Sequence, residues 1–169
     1  MLTVRPEEPA DAEAVRRVNT RAFGQPDEAE LVRKLAAAGA VLLSLVAEVD
    51  GAVVGHILFS PVTIETEAST KSAVGLAPMA VLPGHQRQGI GARLIERGLQ
   101  ELRRQGHTAV VVLGHPGYYP RFGFERASRF GLRCQFDCPD EAFMALELQP
   151  GALAEVRGLV RYRPELGGH

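Results

Sequence analysis

Apolar and polar positions recur along this chain with two periods, and together they predict most of its elements. Leu2 to Arg5 alternates apolar with polar and is closed by Pro6, so it reads as a first strand. Ala14, Val15, Val18, Ala22 and Phe23 then recur at spacings of three and four, one face of a helix, with Asp11 placed as its cap. Gly24 and Pro26 interrupt. Asp27 to Gly39 predicts a second helix, with acids first, Arg33 and Lys34 later, and Gly39 as the stop. Two β-rich runs follow, joined at Asp50-Gly51, a dipeptide that favours a hairpin turn, so strands two and three are expected to be antiparallel. The polar run Glu67 to Ala73 reads as a loop and Val74 to Leu82 as a fourth strand.

The second half has a different rhythm. Ile90, Leu94, Ile95, Leu99 and Leu102 mark a helical face over Gly89 to Gln105, and Gly106 ends it. Thr108 to Gly114 is almost wholly apolar, the pattern of a buried fifth strand. Strand, helix and strand in about forty residues form a βαβ unit, which makes strands four and five parallel. His115 to Ser128 is aromatic and rich in Gly and Pro, with room for one helical turn. Phe130 to Cys138 and Ala142 to Gln149 predict two more strands, joined by the acidic loop Asp137 to Glu141. Residues 150–169 predict a short helix and a short strand appended to a single domain over 1–169. The strand around Val160 to Tyr162 either extends the sheet or meets a second subunit, as in a homodimer.

Composition narrows the class. A chain of 169 residues suits one core, and a net charge of −1 gives no reason to expect a nucleic-acid partner. No apolar run approaches the ~20 residues that span a bilayer. The polar, acidic start does not read as a secretory signal, so the expected location is cytoplasmic, with no membrane partner. Cys134 and Cys138 have no Cys or His near them in sequence, so no metal site is expected. They read as reduced thiols, with a redox pair as the alternative.

Two features carry chemistry. Pro78 lies inside the fourth strand, where it has no N–H for the ladder, so a bulge or a parting of strands is expected there. That would leave backbone groups of Met79, Ala80 and Val81 unpaired and open to a ligand. Directly after comes Val81 to Leu94, "VLPGHQRQGIGARL". It is not a nucleotide phosphate loop, because Ile90 and Gly91 stand where Lys and Ser or Thr would be needed. It is not a dinucleotide loop either, because Leu94 replaces the third glycine. What remains is a Gly-x-Gly opening a helix, whose first N–H groups have no internal partner and favour an anion such as a pyrophosphate. The competing reading is a tight turn that lets the helix pack closely.

Gln86-x-x-Gly89-x-Gly91-Ala92 resembles the Q/R-x-x-G-x-G/A motif of the GNAT superfamily (Gcn5-related N-acetyltransferases). Tyr119-Pro120-Arg121-Phe122-Gly123-Phe124 resembles the Tyr-x-x-x-Gly-Phe segment that these enzymes carry after strand five, and the element order fits over residues 2–149. The tail "GALAEVRGLVRYRP" is similar to that of a bacterial branch with few assigned substrates. The resemblance implies an α/β (α+β) GNAT fold: a mixed, mostly antiparallel sheet with helices on both faces, and strands four and five parallel and splayed. It implies acetyl-CoA or another acyl-CoA as co-substrate and no metal. It implies that Gln86, Arg87, Gln88, Gly89, Ile90, Gly91 and Ala92 hold the pyrophosphate, and that Met79, Ala80 and Val81 pair with the pantetheine arm.

By the same resemblance, Tyr119 would protonate the leaving sulfur, and the acceptor would be the amine of a small molecule or of a protein, attacking directly in a ternary complex. The alternative is a non-catalytic acyl-CoA sensor or partner-binding module. This chain departs from the family in two places. The fourth strand holds no ionisable residue to serve as base, which leaves Glu48, His56, Glu65 and His115 as candidates. The family's frequent Asn after strand five has no match in "VLGHPGYY". His85 is placed to touch CoA or solvent. Acceptor specificity is expected from the first two helices with Thr20 to Asp27, and from the loop holding Asp137, Asp140 and Glu141.

Overall fold

The computed structural model describes residues 1–167, and the last two positions of the expected C-terminal extension lie outside the described residues. The strands are β1 (Leu2–Pro6), β2 (Leu43–Val49), β3 (Ala52–Glu65), β4 (Thr70–Val81), β5 (Ala109–Leu113), β6 (Glu125–Arg126), β7 (Leu132–Cys134), β8 (Phe143–Glu147) and β9 (Gly158–Arg161). The helices are α1 (Ala12–Phe23), α2 (Asp27–Ala37) and α3 (Ile90–Arg104). Hydrogen-bonded neighbours run β1-β2-β3-β4-β5-β8-β6, and β9 joins β3 to β7. The pairings are mostly antiparallel, and β4 with β5 is parallel, as expected. The chain divides into two compact units, Met1–Phe59 with Ala77–Glu101, and Ser60–Leu76 with the chain from Leu102 on.

In the first unit, β1 and β2 pair from Leu2↔Val49 to Pro6↔Leu45, and β2 and β3 form the predicted hairpin. Asp50 and Gly51 both adopt positive φ, 51° and 81°, the mirror-image turn whose twist matches the strands. Helices lie on both faces of β3. Gly55 and Phe59 touch α3, while His56, pointing to the other face, meets Asn19 of α1. Val15, Val18, Ala29, Val32 and Leu35 are the buried stripes of α1 and α2.

Asp11 precedes α1, as expected, but its carboxylate does not cap that helix. It accepts two hydrogen bonds from Arg5, at 2.8 and 2.9 Å, and one from the Glu8 N–H at 2.7 Å. Arg5 also pairs with Glu48. The fork of the guanidinium holds β1, the turn before α1 and β2 together.

In the second unit, β5 lies between β4 (Val74↔Val110, Gly75↔Val111) and β8 (Ala109↔Glu147 to Leu113↔Phe143). Its first four residues are buried, in keeping with their unbroken apolar run. A core of Val62, Ile64, Val111, Leu132, Phe143 and Val160 packs around it.

The structure corrects the sequence expectations in four further places. Thr70 to Ala73 are strand rather than loop, since the β3–β4 hairpin continues to a tight turn closed by Thr66 N–H to Ser69 O at 2.8 Å. A further short strand, β6, intervenes and pairs with β8. The run from Phe130 yields only the three residues of β7, which pairs with β9 in parallel. The helix expected after Pro150 is a series of turns, with Gly151 and Glu155 at positive φ. A segment that short does not recover the cost of helix nucleation.

Asp11 links this architecture to pH. Its carboxyl is lowered to about 2 from the ordinary 3.8, first by the hydrogen bonds from Arg5 and then by that from the Glu8 N–H. A depressed folded-state value means stability that is present above about 3.8 and lost as pH falls towards 2. Thermal melts should therefore fall through that window. Asp11→Asn should be less stable at pH 7 and lose less than the wild type between pH 4 and 2, as followed by circular dichroism.

Candidate active site

The segment that opens α3 is positioned by packing farther along the helix. A Cβ on Gly98 would lie 2.5 Å from the ring of Phe59, and one on Gly55 would lie 3.1 Å from Ile90 and 3.2 Å from Leu94. Helix and strand therefore approach closely at two glycines, with Phe59, Leu94 and Ile95 fully buried around them. Arg97 Nη1 adds a hydrogen bond to Val4 O at 3.0 Å. These contacts fix the axis of α3 and, through it, its first turn.

Before that turn the chain bends sharply. Arg87 (φ 63°) and Gly89 (φ 80°) both take left-handed conformations. For Arg87 this costs roughly 1–2 kcal/mol, and such strain gathers where the fold holds a functional loop. Gln86 does not project away from the protein. Its Nε2 donates to Val81 O at 3.0 Å and ties the loop to the end of β4. Gln86, Arg87, Gln88 and Gly89 are exposed, Gly91 and Ala92 half-buried, and Ile90 buried. Arg93 N–H makes a bond to Gly89 O at 3.1 Å, so the N–H groups of Ile90, Gly91 and Ala92 precede the first helical acceptor and have none inside the helix. A Cβ at Gly89 would meet nothing within 4 Å, which leaves the approach to this turn open.

The strand leading into the loop has the parting expected from Pro78. The parallel ladder between β4 and β5 comprises Val74 and Gly75 alone. Past it comes a cis Ala77-Pro78 bond, then Met79, Ala80 and Val81, of which Ala80 is buried and the others half-buried. Leu82 N–H bonds Val54 O at 2.9 Å, so this end stays attached to β3. All the residues expected to hold the donor therefore fall in the first unit, on one strand end, one loop and one helix start.

Tyr119 belongs to the second unit. It opens a single 3-10 turn, Tyr119–Phe122, closed by Gly123 at φ 100°. Its ring stands edge-on to Tyr118 and Phe124, with centroids 5.2 and 5.6 Å apart. It also lies against bare backbone at Gly114, where a Cβ would come within 2.4 Å of the ring. Tyr119 is 8% exposed, and burial, the main cause, with a smaller influence of Tyr118 raises its phenol to about 12.

The four candidate bases separate. Glu48 is paired with Arg5, and Glu65 with Arg161 at 2.6 Å. His115 is exposed, and His56 is wholly buried. Asp140 forms an ion pair with Arg126 at 3.2 Å, while Asp137 and Glu141 are exposed. No group of three or more His, Cys, Asp or Glu is placed to hold a metal among the described residues, and Cys134 and Cys138 are free thiols. No helix among the described residues is long and apolar enough to cross a membrane.

His56 instead belongs to a chain of polar side chains that the sequence reading missed. Asn19 Nδ2 donates to Val15 O at 3.0 Å and lies 3.1 Å from His56 Nδ1. Because a carbonyl only accepts, the Asn19 nitrogen is fixed in place, and His56 Nδ1 must present a lone pair to it. The ring proton is then on Nε2, which lies 2.9 Å from Ser44 Oγ, and the Ser44 hydroxyl donates to Glu7 Oε1. Burial raises the Glu7 carboxyl, but His56 and Ser44 outweigh it and hold the group below the usual carboxylate range. The only trace in the sequence was a lone His in an apolar run and a lone Asn on an apolar helix face.

Comparison with known proteins agrees with this geometry. Residues 3–127 match the family model described as an acetyltransferase (GNAT) domain. The Escherichia coli K12 protein named uncharacterized N-acetyltransferase YhbS is 40% identical over 162 residues, 95% of this chain and 96% of its own length. Uncharacterized N-acetyltransferase YjhQ of the same strain is 44% identical over 135 residues, 78% of this chain and 75% of its own. The crystal structure of E. coli YhbS in complex with CoA superposes with a TM-score of 0.93 at 38% identity, covering 98% of this chain and 92% of that one. A GNAT family acetyltransferase from Brucella melitensis in complex with acetyl-CoA gives 0.81 at 39%, covering 98% of both chains.

The α3 packing predicts a specific lesion. Gly98→Ala adds a methyl that Phe59, itself fully buried, has no space to avoid. Overpacking costs typically about 1–3 kcal/mol, against a helix-propensity gain of up to about 1 kcal/mol. The variant should melt several degrees below the wild type by calorimetry, whereas Gly84→Ala, with open space at its Cβ, should not.

Proposed function

Because this chain belongs to the GNAT family and is an acyltransferase, we propose that it transfers an acetyl group from acetyl-CoA to a primary amine, by direct attack in a ternary complex. The observation that carries this reading is the start of α3. Three helical N–H groups with no acceptor inside the helix follow a loop of exposed residues, with Arg87 and Gly89 in left-handed conformations. Gln86 through Ala92 would cradle the pyrophosphate there, with Arg87 and Arg93 adding positive charge. Met79, Ala80 and Val81, past the end of the β4–β5 ladder, would offer backbone groups to the pantetheine arm. Two solved relatives are complexes with CoA and with acetyl-CoA, which supports the same donor here.

The donor, when bound, supplies a thioester electrophile. The chain supplies polarisation and position. A Met79 N–H aimed at the carbonyl oxygen would stabilise the charge that develops on it. Holding amine and thioester together removes the entropic cost of their encounter. For the departing sulfur the reading assigns Tyr119 Oη. With its phenol near 12, Tyr119 keeps its proton across the whole range in which the protein would work. A thiol titrates near ~8.5, so complete transfer from such a phenol is uphill. Tyr119 then acts mainly as a strong hydrogen-bond donor to the sulfur, and the proton released by the attacking amine completes the balance.

Thiol release over a panel of amines tests the function. Turnover with at least one acceptor is expected. Firm acetyl-CoA binding with no turnover on any amine would favour a sensor instead. Tyr119→Phe should lower kcat by about 10²-fold or more with the KM for acetyl-CoA little changed. Any alkaline fall in the wild-type rate from this group should have its midpoint near pH 12 rather than near the ordinary phenol value of 10.0. An unchanged kcat in Tyr119→Phe, with chemistry rate-limiting, would remove the tyrosine from the mechanism.

A further inference from the structure

The Asn19–His56–Ser44–Glu7 chain ends at a cleft of about 610 Å³ between α1 and α2, and Glu7 is part of its wall. The apolar walls come from Val15, Pro26, Ala29 and Val32. Of the other charges lining it, Glu30 and Arg33 pair with each other, and Glu13 and Arg16 are exposed and of opposite sign. Glu7 is different. Its side chain is 21% exposed, no Lys or Arg pairs with it among the described residues, and its basic neighbour is the buried His56, whose Nε2 lies 3.7 Å from Oε1.

We propose that this cleft binds a primary ammonium ion carried on an apolar body, with Glu7 as the anion that receives it. The geometry selects the class of cation. Glu7 Oε1 already accepts from Ser44, so the carboxylate has one uncommitted oxygen, Oε2. A guanidinium is best met by two free carboxylate oxygens, whereas an ammonium, a compact point charge, needs only one. Among the described residues, no metal-ligating cluster includes Glu7. The apolar walls reward an apolar body at about 25 cal/mol per Å² covered.

The buried chain behind Glu7 explains why the site is built as it is. Asn19 and His56 are both 0% exposed and orient Ser44, which in turn fixes the rotamer of Glu7. A carboxylate held in place before binding loses less freedom when the ligand arrives. His56 and Ser44 are thus positioning residues. The His56 ring is out of reach of any ligand, and its proton on Nε2 leaves Ser44 to donate to Glu7. Binding rests on the cleft alone. That the bound amine is the acyl acceptor rests additionally on the acyltransferase reading above.

The test is a titration of ¹⁵N-labelled full-length protein at pH 7 with phenethylammonium chloride, and in parallel with its neutral analogue 2-phenylethanol. Amide shifts are expected at Ala12, Val15, Ala29 and Val32, with the amine bound more tightly than the alcohol. Glu7→Gln should weaken the amine about tenfold or more and leave the alcohol unchanged. Ser44→Ala keeps the charge and frees the rotamer, so it should weaken the amine several-fold, and it serves as the readout if Glu7→Gln does not fold. Absence of shifts at those positions would overturn the proposal. So would equal affinity for amine and alcohol, or wild-type affinity in the folded variants. Acetyl-CoA binding, followed separately by calorimetry, distinguishes the two readings. Its absence would defeat acyl transfer while leaving the ammonium site standing.

Discussion

The close contact of α3 with β3 is the constraint on which the first unit depends. A helix is stiff, so the place of its first turn is decided by whichever turns are pinned. Here two glycines do the pinning: Gly98 under the Phe59 ring and Gly55 under Ile90 and Leu94. A single methyl at either position would displace the axis by tenths of an ångström, and the first-turn N–H groups would move with it. Gln86 secures the other side of the loop to Val81, and Arg87 and Gly89 complete the bend in conformations most residues avoid. The strain is local, and the packing that sustains it runs from the first turn at Ile90 to Gly98 two turns on.

The two faces of β3 serve different purposes. The α3 face is wholly apolar at Gly55, Ile57 and Phe59. The α1 face carries His56, a buried polar ring that would be costly without partners. Asn19 and Ser44 supply them, and the chain of bonds runs outward to the half-buried carboxylate of Glu7. Asn19 Oδ1 remains without a partner. A fold that accepts that cost in its interior gains a carboxylate of fixed orientation at a cleft, which an apolar residue in place of His56 would not provide.

Much of this molecule is legible in its sequence. The 3.6-residue period of Ile90, Leu94, Ile95, Leu99 and Leu102 located α3 to within a residue at each end. Asp50-Gly51 located the hairpin because its backbone demands residues that tolerate positive φ. Pro78 signalled the end of the β4–β5 ladder within β4 because it lacks an N–H. The motif from Gln86 to Ala92 pointed to the family because its glycines and the helix they open form a recognisable local pattern. These are local properties: the backbone state of a short segment follows from its own residues.

What the sequence left open depends on which faces meet. Nothing local tells β7 to pair with β9 rather than β8, or lets a two-residue strand such as β6 be anticipated, because short pairings are stabilised by neighbours distant in the chain. Asn19 and His56 are 37 positions apart, as are Glu7 and Ser44, and each alone reads as an ordinary polar residue. The sequence by itself determined the helices, the main strands, the turn chemistry and the family. Only the tertiary structure decided the sheet's outer pairings, the burial of His56 and the cleft at Glu7, since burial and orientation arise when segments pack and not before.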